Sequence, residues 1–506
     1  MTTIPALVRS AADSYGVAEA VADGDRRISF AELRRLTTRA AADCIRRGVQ
    51  PGDRVALWAP NTLDWVVAAL GALSAGAALV PLNTRYKGDE AAWILDRSRA
   101  ALTYVSPPFL GNDYPAMLAG RDGIVVLDKS LWDNEIGSAE AAAVERRIEA
   151  LGPDDVGDVI FTSGTTGRPK GVVTTHAQTL RVFDTWADVV GLRAGDRYLV
   201  VNPFFHTFGY KAGIIACLLR GATIVPQPVF DVPAVLDLIE RERITVLPGP
   251  PTLYQSILDA SDRDQRDLGS LRLIVTGAAV VPVVLVERLR DELAVETVLT
   301  AYGLTESTGT VTMCRRGDDP ETIATTSGRA IPGTEVQVVD AGGESASVGE
   351  PGEVVVRGYN VMAGYFEDPA ATAAAIDADG WLHTGDIGVL DDDGNLRITD
   401  RLKDMYVVGG FNAYPAEIEQ TLASHPGIAD SAVVGVPDDR LGEVGAAFVV
   451  ARPGACIDPA EVVSWSRERM ANFKAPRTVH VVDSLPRNAS GKVLKFELRA
   501  LASESR

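Results

Sequence analysis

The sharpest local signal in the sequence is Thr162-Ser163-Gly164-Thr165-Thr166-Gly167-Arg168-Pro169-Lys170-Gly171, which directly follows the apolar run at 159–161. Its glycines leave a loop that no Cβ obstructs, and its hydroxyls and backbone N–H groups can together wrap an anion. Arg168 and Lys170 add positive charge. A plain surface turn is the alternative, but it does not explain so dense a run of hydroxyls after a buried strand. The stretch is neither a Walker A loop nor a dinucleotide fingerprint, and we expect it to bind phosphate.

On both sides of this loop, short apolar runs alternate with helical stretches rich in Ala and Leu. Strands without polar alternation, separated by helices, indicate parallel sheets that are covered on both faces. The predicted strands lie at 55–58, 78–80, 123–127, 159–161, 222–225, 244–247 and 271–275.

The pattern changes after residue 330. Short alternating strands with Gly-Gly and Asp-Gly turns predict a small antiparallel β subdomain at about 331–400. The segment 404–506 mixes strands and helices and has the size of a separate domain. We therefore predict an α/β fold with a large N-terminal body of covered, mostly parallel sheets at 1–400, including that subdomain, and a small C-terminal α+β domain.

Composition excludes several classes of function. The 506 residues carry a formal net charge of −19 at pH 7, which argues against nucleic acid or an anionic membrane as the main partner. Four widely spaced cysteines disfavour a zinc site or a disulfide framework and indicate a reducing cytoplasm. We recognise no secretory signal at 1–16, and the uncharged run at 65–84 is more typical of a buried helix and strand than of a membrane span.

The phosphate-binding stretch resembles the phosphate loop of the adenylate-forming superfamily, which includes acyl- and aryl-CoA synthetases, luciferases and non-ribosomal adenylation domains. Five further motifs follow in the order of that family, and they extend the resemblance over essentially the whole chain. Several independent motifs in order are far more specific than any one of them. They are NPFFH at 202–206, YGLTE at 302–306, WLHTGD at 381–386, RLKD running on to GGFN at 401–412, and PRNASGK at 486–492.

The resemblance implies that the chain binds ATP, with the phosphate loop on its phosphates. It also implies that Tyr302 and the backbone of Gly277-Ala278-Ala279 sandwich the adenine, where a flat apolar slot favours stacking. Asp386 is expected to accept hydrogen bonds from both ribose hydroxyls, and Arg401 to add a donor to the same sugar. Taken alone, Tyr302 would be a core aromatic residue, Asp386 a solvated carboxylate and Arg401 a member of a surface ion pair.

The resemblance further implies that Glu306 binds Mg²⁺ with Thr162 as a further ligand, and Mg²⁺ needs only one or two protein oxygens. Lys492 is the predicted catalytic residue, because an ammonium group that touches both anions lowers the barrier to their reaction. His206 is expected to gate the entry of the acyl carboxylate, and Thr305, beside Glu306, joins the catalytic set. The alternatives are a solvated lysine at Lys492 and a core histidine at His206.

Thioester formation has two steps, formation of an acyl-adenylate with release of pyrophosphate and then attack by the thiol with release of AMP. Lys492 is expected to be needed for the first step, and pyrophosphate has to leave before the second. Similar enzymes rotate the C-terminal domain, here 404–506, about a hinge, here 401–403. Gly409 and Gly410 would then let the pantetheine arm of coenzyme A pass. Phe473, Lys474 and Arg85 are candidates for the nucleotide end of coenzyme A, with solvated surface residues as the favoured alternative.

We therefore predict an ATP-, Mg²⁺- and CoA-dependent acid–thiol ligase. The stretches at 202–218, 247–255, 276–285 and 399–419 are similar to those of actinobacterial ligases that act on the indanedione propionate left from steroid C and D rings. Lys211, within the first stretch, is expected either to donate to a ring ketone of such an acid or to reach solvent along its apolar stem, the second being favoured.

Other functions stay open at this point. A medium-chain fatty or aryl acid ligase and an enzyme that loads a carrier protein fit the same motifs. Luciferase chemistry uses the same fold, but nothing in the sequence requires oxygen. A non-catalytic nucleotide-binding protein is the alternative from another class. We expect a cytoplasmic protein without an integral membrane segment and without nucleic acid, and a homodimer is one option for its oligomeric state.

Overall fold

The structure is a computed structural model that describes residues 2–162, 169–277, 281–340, 342–401, 404–408, 411–438, 440–470, 472–487 and 493–504. The chain forms two compact units. The larger unit comprises Met1–Val336 and Val356–Leu382, and the smaller unit comprises Gln337–Val355 and His383–Arg506. Much of the predicted β subdomain thus belongs to the same unit as the C-terminal segment. The hinge predicted at 401–403 stays a prediction, since residues 402 and 403 lie outside the described residues.

The described strands and helices are numbered in chain order. The strands are β1 (Glu19–Asp23), β2 (Arg26–Ser29), β3 (Arg54–Trp58), β4 (Ala78–Pro81), β5 (Ala100–Val105), β6 (Ile124–Val126), β7 (Val156–Thr162), β8 (Lys170–Thr175), β9 (Arg197–Val200), β10 (Thr223–Pro226), β11 (Leu273–Gly277), β12 (Thr297–Tyr302), β13 (Thr312–Met313), β14 (Arg329–Ala330), β15 (Thr334–Val339), β16 (Gly352–Gly358), β17 (Gly364–Tyr365), β18 (Leu382–Leu390), β19 (Leu396–Arg401), β20 (Tyr406–Val408), β21 (Phe411–Ala413), β22 (Ile428–Asp438), β23 (Gly442–Ala451) and β24 (Thr478–Val481). The helices are α1 (Ile4–Tyr15), α2 (Phe30–Arg46), α3 (Leu63–Ser74), α4 (Gly88–Ser98), α5 (Tyr114–Met117), α6 (Ser138–Ala150), α7 (His176–Val190), α8 (Thr207–Gly209), α9 (Ala216–Arg220), α10 (Val232–Glu242), α11 (Pro251–Leu258), α12 (Val283–Asp291), α13 (Pro320–Thr325), α14 (Pro369–Ala375), α15 (Pro415–Leu422), α16 (Pro459–Arg469) and α17 (Lys495–Glu504).

The first sheet of the larger unit has its described strands in the order β17-β8-β7-β4-β3-β5-β6. Strands β3 to β7 pair in parallel, whereas β7 with β8 and β8 with β17 are antiparallel. The central strands are buried almost throughout, which is why their sequences are apolar runs rather than alternating patterns. The predicted α/β class is confirmed.

The second sheet of the larger unit consists of two described halves, β2-β1-β10-β9 and β11-β12-β13-β14. A strand was expected at 244–247, and this is wrong. Only Val246 pairs, in parallel, with Tyr198 on one side and Leu273 on the other. Arg243 has a left-handed φ of 51° before it and Pro248 follows closely, so the extended segment is too short to form a strand. Val246 nevertheless joins the two halves.

Helix starts in the larger unit are fixed by side-chain caps. Thr62 Oγ1 accepts from Trp65 N at 3.2 Å at the start of α3, and Thr175 and Gln178 form a capping box at the start of α7. Helix α3 is buried along nearly its whole length, with Trp65 fully inaccessible. It occupies the first part of the uncharged run and β4 the second, as expected. No helix in the described part of the chain has both the length and the apolar character needed to cross a membrane.

The smaller unit contains two sheets. One has the strand order β15-β16-β18-β19, and the other has β21-β20-β23-β22 with β24 pairing in parallel with β23. The long antiparallel pair β22–β23 is the centre of the second core, into which Val434 and Phe448 are buried. Three cysteines of the chain, Cys44, Cys217 and Cys314, are buried, and Cys456 of this unit is exposed.

Candidate active site

The phosphate-binding stretch closes a hairpin between β7 and β8. Thr162, the last residue of β7, pairs with Lys170, the first residue of β8. Residues 163–168 of the predicted loop lie outside the described residues, whereas Pro169, Lys170 and Gly171 lie within them. A Cβ on Gly171 would lie 2.9 Å from a methyl carbon of Val159. The final glycine of the motif is therefore needed for packing against the sheet.

The carboxylate predicted to bind Mg²⁺ is held by a tyrosine that sequence analysis did not identify. Glu306 lies in a 3-10 turn at Thr305–Ser307, and its Oε1 accepts a hydrogen bond from the Tyr365 hydroxyl at 3.0 Å. Tyr365 belongs to β17, which pairs with β8 next to the phosphate-loop hairpin. The Nζ of Lys170 lies 4.9 Å from the centre of the same ring. Tyr365 therefore links the predicted metal carboxylate to the predicted phosphate cation.

The chemistry of these groups fits Mg²⁺. Glu306 is half-buried, and within the described residues the recorded hydrogen bond engages Oε1, so that Oε2 is the oxygen a cation would meet. Burial and the adjacent Glu306 raise the pKa of Tyr365, so that its hydroxyl stays a donor to the carboxylate. A hard cation that keeps most of its waters needs only one or two such oxygens, and Thr162 stays the second predicted ligand.

A cavity of about 450 Å³ opens beside these residues. Its wall combines aromatic rings with cations and one carboxylate. The lining residues are Trp93, Arg97, Pro169, Lys170, Gly171, Tyr365, Phe366 and Asp368. The described end of the phosphate loop thus faces an open space rather than the core.

The two segments predicted to sandwich adenine lie at adjacent strand ends. Gly277 ends β11 and pairs with Ala301, one residue before Tyr302 ends the parallel strand β12. A Cβ on Gly277 would lie 2.6 Å from the Ala301 carbonyl oxygen, so only glycine fits. Ala278 and Ala279 lie outside the described residues. The carboxyl ends of parallel strands are where open α/β sheets bind ligands.

His206, at the start of α8, has an exposed side chain, although burial among surrounding residues lowers its pKa, so it lies in a recess of the surface and not in the packed core of the alternative interpretation. Its Nδ1 accepts a hydrogen bond from Phe208 N at 3.3 Å, which places the proton of the neutral ring on Nε2. Phe204, two residues earlier, is fully buried against Trp65. Thr305 is 9% exposed and lies next to Glu306. These contacts place His206 at the surface of the larger unit with its backbone anchored in the core.

The residues predicted to bind ribose lie in the smaller unit. Asp386 of β18 pairs with Arg401 of β19, and side chains of directly paired residues share one face. Asp386 is 4% exposed, and its N–H donates to Thr384 Oγ1 at 3.1 Å. Gly385 before it has a φ of 68°, which favours glycine. The Arg401 side chain lies outside the described part, so its predicted contact rests on the register alone.

Several predicted residues cannot be placed. Lys492, Gly409 and Gly410 lie outside the described residues.

Lys474, a weak candidate for the nucleotide end of coenzyme A, forms a salt bridge with Glu417 at 2.5 Å. This contact agrees with the favoured alternative of a surface residue.

The favoured interpretation of Lys211, that it reaches solvent, is wrong. Its side chain is fully buried, with Nζ 3.0 Å from Asp158 Oδ1. Nζ also donates to Thr174 Oγ1 at 2.8 Å. Donation to a ring ketone of the acid gains no support from these contacts, because both direct the ammonium group at β7 and β8.

Residues 8–366 match the family described as AMP-binding enzyme, and residues 417–492 match its C-terminal domain. A 3-[(3aS,4S,7aS)-7a-methyl-1,5-dioxo-octahydro-1H-inden-4-yl]propanoyl:CoA ligase from Rhodococcus jostii is 52% identical over 98% of both chains. The ligase of the same name from Mycobacterium tuberculosis is 55% identical over 99% of both. The crystal structure of ATP-bound MatB from Rhodopseudomonas palustris is similar with a TM-score of 0.87 at 31% identity, covering 99% of both chains.

Proposed function

The chain belongs to the family of AMP-binding enzymes, and from that premise we propose that it uses ATP to join a carboxylic acid to coenzyme A. The acid we propose is the 7a-methyl-1,5-dioxo-octahydroindenyl propanoate named for the relatives from R. jostii and M. tuberculosis. The observation that carries this choice is the identity of 52% and 55% over nearly the full length. Acyl pockets are built from scattered side chains, so similarity along the whole chain is a better guide to the acid than any short motif.

The reaction has two steps. A carboxylate oxygen of the acid attacks the α-phosphorus of ATP, and pyrophosphate leaves. The thiol sulfur of coenzyme A then attacks the acyl carbon, its proton passes to solvent, and AMP leaves. The first step brings two anions together, so it needs cations and N–H groups that are already in place when charge develops on the phosphoryl oxygens.

The larger unit supplies the base and phosphate contacts in this proposal. Gly277 and Tyr302 receive the adenine at neighbouring strand ends, and Lys170 with the loop 163–169 holds the phosphates. Glu306, oriented by Tyr365, would hold Mg²⁺. When bound, Mg²⁺ offsets the negative charge of the phosphates. The hydrogen bond from Tyr365 orients the Glu306 carboxylate that would hold the ion.

The smaller unit supplies the ribose contacts and the catalytic lysine. Asp386 and Arg401 are register partners on β18 and β19, which supports the proposal that both bind the same ribose. We propose that Lys492 bridges the carboxylate and the α-phosphate in the first step and that rotation about 401–403 removes it for the second. Gly409 and Gly410 would then admit the pantetheine arm.

We also propose that the enzyme works in the cytoplasm. ATP and coenzyme A are cytoplasmic substrates, and all four cysteines are free, as expected in a reducing compartment.

A substrate panel tests the proposal. Consumption of coenzyme A and formation of AMP are followed with the dioxo-octahydroindenyl propanoate, medium-chain fatty acids, cinnamic acids and acetate. We expect the bicyclic acid to give the highest kcat/KM by at least about tenfold, since pocket complementarity of a few methylene groups is worth that much. A fatty or cinnamic acid with the higher kcat/KM would keep the enzyme class and overturn the substrate. AMP formation without thioester would point to a different acceptor.

A further inference from the structure

The larger unit contains a buried ion pair that the proposed reaction does not use. The side chains of Lys211 and Asp158 are both 0% exposed and contact each other directly, with Nζ 3.0 Å from Oδ1, and Thr174 Oγ1 contacts both groups. Thr174 donates to Asp158 Oδ1 at 2.7 Å and accepts from Lys211 Nζ at 2.8 Å. Burial lowers the pKa of Lys211, and the Asp158 carboxylate opposes that shift.

Stability alone is a poor reason for such a pair. Removing two charges from water costs more than their attraction commonly returns, and apolar residues of similar volume often stabilise a core at least as well. Asp158 Oδ2 also lacks a hydrogen-bond partner within the described residues. An ion pair that contributes so little to stability points to a role in holding two segments in place.

The pair joins two segments that the proposed function places on either side of the reacting atoms. Asp158 and Thr174 are register partners near the base of the β7–β8 hairpin that presents the phosphate loop. Alternation along a strand puts Asp158 and Thr162 on the same face, about 13 Å apart. Lys211 lies five residues after His206, the residue expected at the entry of the acyl carboxylate.

The segment that carries Lys211 is a π-helix at Tyr210–Ile215, in which Ala216 N donates to the Lys211 carbonyl oxygen. This wider turn is rare and is found most often at functional sites. Trp65 contacts the rings of both Phe204 and Tyr210, with centroids 5.1 and 5.7 Å away. The segment is therefore anchored by aromatic packing, and within the described residues the side chain of Lys211 fixes it to β7 and β8 through Asp158 and Thr174.

We propose that the Lys211–Asp158 pair is a positioning pair, which fixes the His206 segment against the phosphate-loop hairpin so that the acid carboxylate meets the α-phosphate. This inference rests on the proposed function. Neither residue touches a substrate, so the pair acts through the two segments that it joins. The first half-reaction depends on this alignment, because it is the step in which the carboxylate has to approach phosphorus in line.

The test uses a neutral double variant, Lys211→Met with Asp158→Asn, which keeps an acceptor for Thr174. We expect it to fold, and acid-dependent pyrophosphate exchange to show kcat lowered by about tenfold or more. The KM for ATP and the thiolysis of supplied acyl-adenylate should stay within about twofold, because these do not need the two segments aligned. Wild-type kcat in a folded double variant would overturn the proposal, as would equal losses in both half-reactions.

A matched control is the neutral double variant Arg272→Met with Asp196→Asn. This ion pair is also largely buried in the larger unit, but its residues directly precede β11 and β9 of the second sheet. We expect a lower melting temperature and an unchanged kcat for pyrophosphate exchange. A fall in kcat like that of the first variant would mean that loss of any buried pair impairs the enzyme, and the positioning role would be rejected.

Hydrogen exchange tests the positioning role of the pair independently of the proposed enzymatic activity. In the neutral double variant, or in Lys211→Gln should the double variant not fold, the ion pair is removed and the amides at 202–215 should exchange faster than in the wild type. Amides of β22–β23 should not change. This readout needs no substrate, so it stands if the wild-type enzyme exchanges pyrophosphate with none of the acids. Unchanged exchange at 202–215 would show that the pair does not hold the segment.

Discussion

The hydroxyl of Tyr365 donates to Oε1 of Glu306 at 3.0 Å, although the two residues are 59 positions apart. The same ring lies under Lys170, which begins the strand after the phosphate loop. One side chain thus orients a carboxylate and a cation of the candidate site. A hydrogen bond to a charged group is worth more than one between neutral groups, and its loss should be measurable.

Replacing Tyr365 by Phe should weaken the Mg²⁺-dependent binding of ATP by about tenfold, because Glu306 loses the donor that orients it. Calorimetric titration of ATP at a series of Mg²⁺ concentrations measures this directly. Tyr359→Phe is the control, since that hydroxyl contacts Thr185 at 3.3 Å instead of Glu306. If both variants bind ATP equally well, Tyr365 does not support the metal carboxylate.

Replacing Asp386 by Asn should raise the KM for ATP by about tenfold or more, because the amide can no longer accept from two ribose hydroxyls with a full negative charge. Steady-state kinetics with ATP as the varied substrate checks this. Asp393→Asn, in the exposed turn of the same sheet, is the matched control. An unaltered KM for ATP in the Asp386 variant would remove Asp386 from the site.

Replacing Lys492 by Met should lower acid-dependent pyrophosphate exchange by about a hundredfold or more, whereas thiolysis of supplied acyl-adenylate should change by less than about threefold. We expect only the first step to need the ammonium group. Lys495→Met serves as control, since Lys495 forms a salt bridge with Glu419 at 2.9 Å. Equal losses in both half-reactions would show that Lys492 is not specific to adenylation.

Acid should destabilise the fold through His176, the first residue of α7. Burial lowers its pKa to about 4, whereas the unfolded side chain titrates near 6.5. Between these values the unfolded chain binds a proton that the folded chain does not. The stability that the neutral His176 contributes is thus fully present above pH 6.5 and is lost as the pH drops toward 4.

By pH 5 this single residue should reduce the free energy of unfolding by about 2 kcal/mol relative to pH 8. Urea unfolding of the wild type and of His176→Asn at both pH values checks it. Asn keeps an acceptor for Ile4 N, which bonds Nδ1 at 3.5 Å. We expect the free energy of unfolding to depend less on pH in the variant than in the wild type. An equal dependence in both proteins would show that His176 is not the residue responsible.

Much of the fold could be predicted from the sequence because buried parallel strands need apolar runs. The run at 244–247 had that composition, but its neighbours limit the pairing to one residue, Val246, which bridges Tyr198 and Leu273. Local composition shows that a segment is buried and extended. It does not show how many of its residues can pair when a left-handed Arg243 and Pro248 flank it.

The site could be predicted only as far as motifs mark it. Gly277 and Tyr302 are separated in sequence, yet parallel pairing brings them to neighbouring strand ends. Tyr365 and Asp158 were missed because each acts on a residue far along the chain, Glu306 and Lys211 respectively. Lys211 looked like a solvent-reaching lysine for the same reason, since its partner lies on another strand. Such pairings appear only after folding.

The burial of three of the four thiols has a practical consequence. Burial raises the pKa of Cys44 to about 12 and raises those of Cys217 and Cys314 as well, which leaves Cys456 as the accessible thiol. A maleimide dye should therefore label the native wild-type protein once, on its smaller unit. With a second dye attached to the nucleotide, energy transfer between the two fluorophores during turnover would test the rotation that we propose about 401–403.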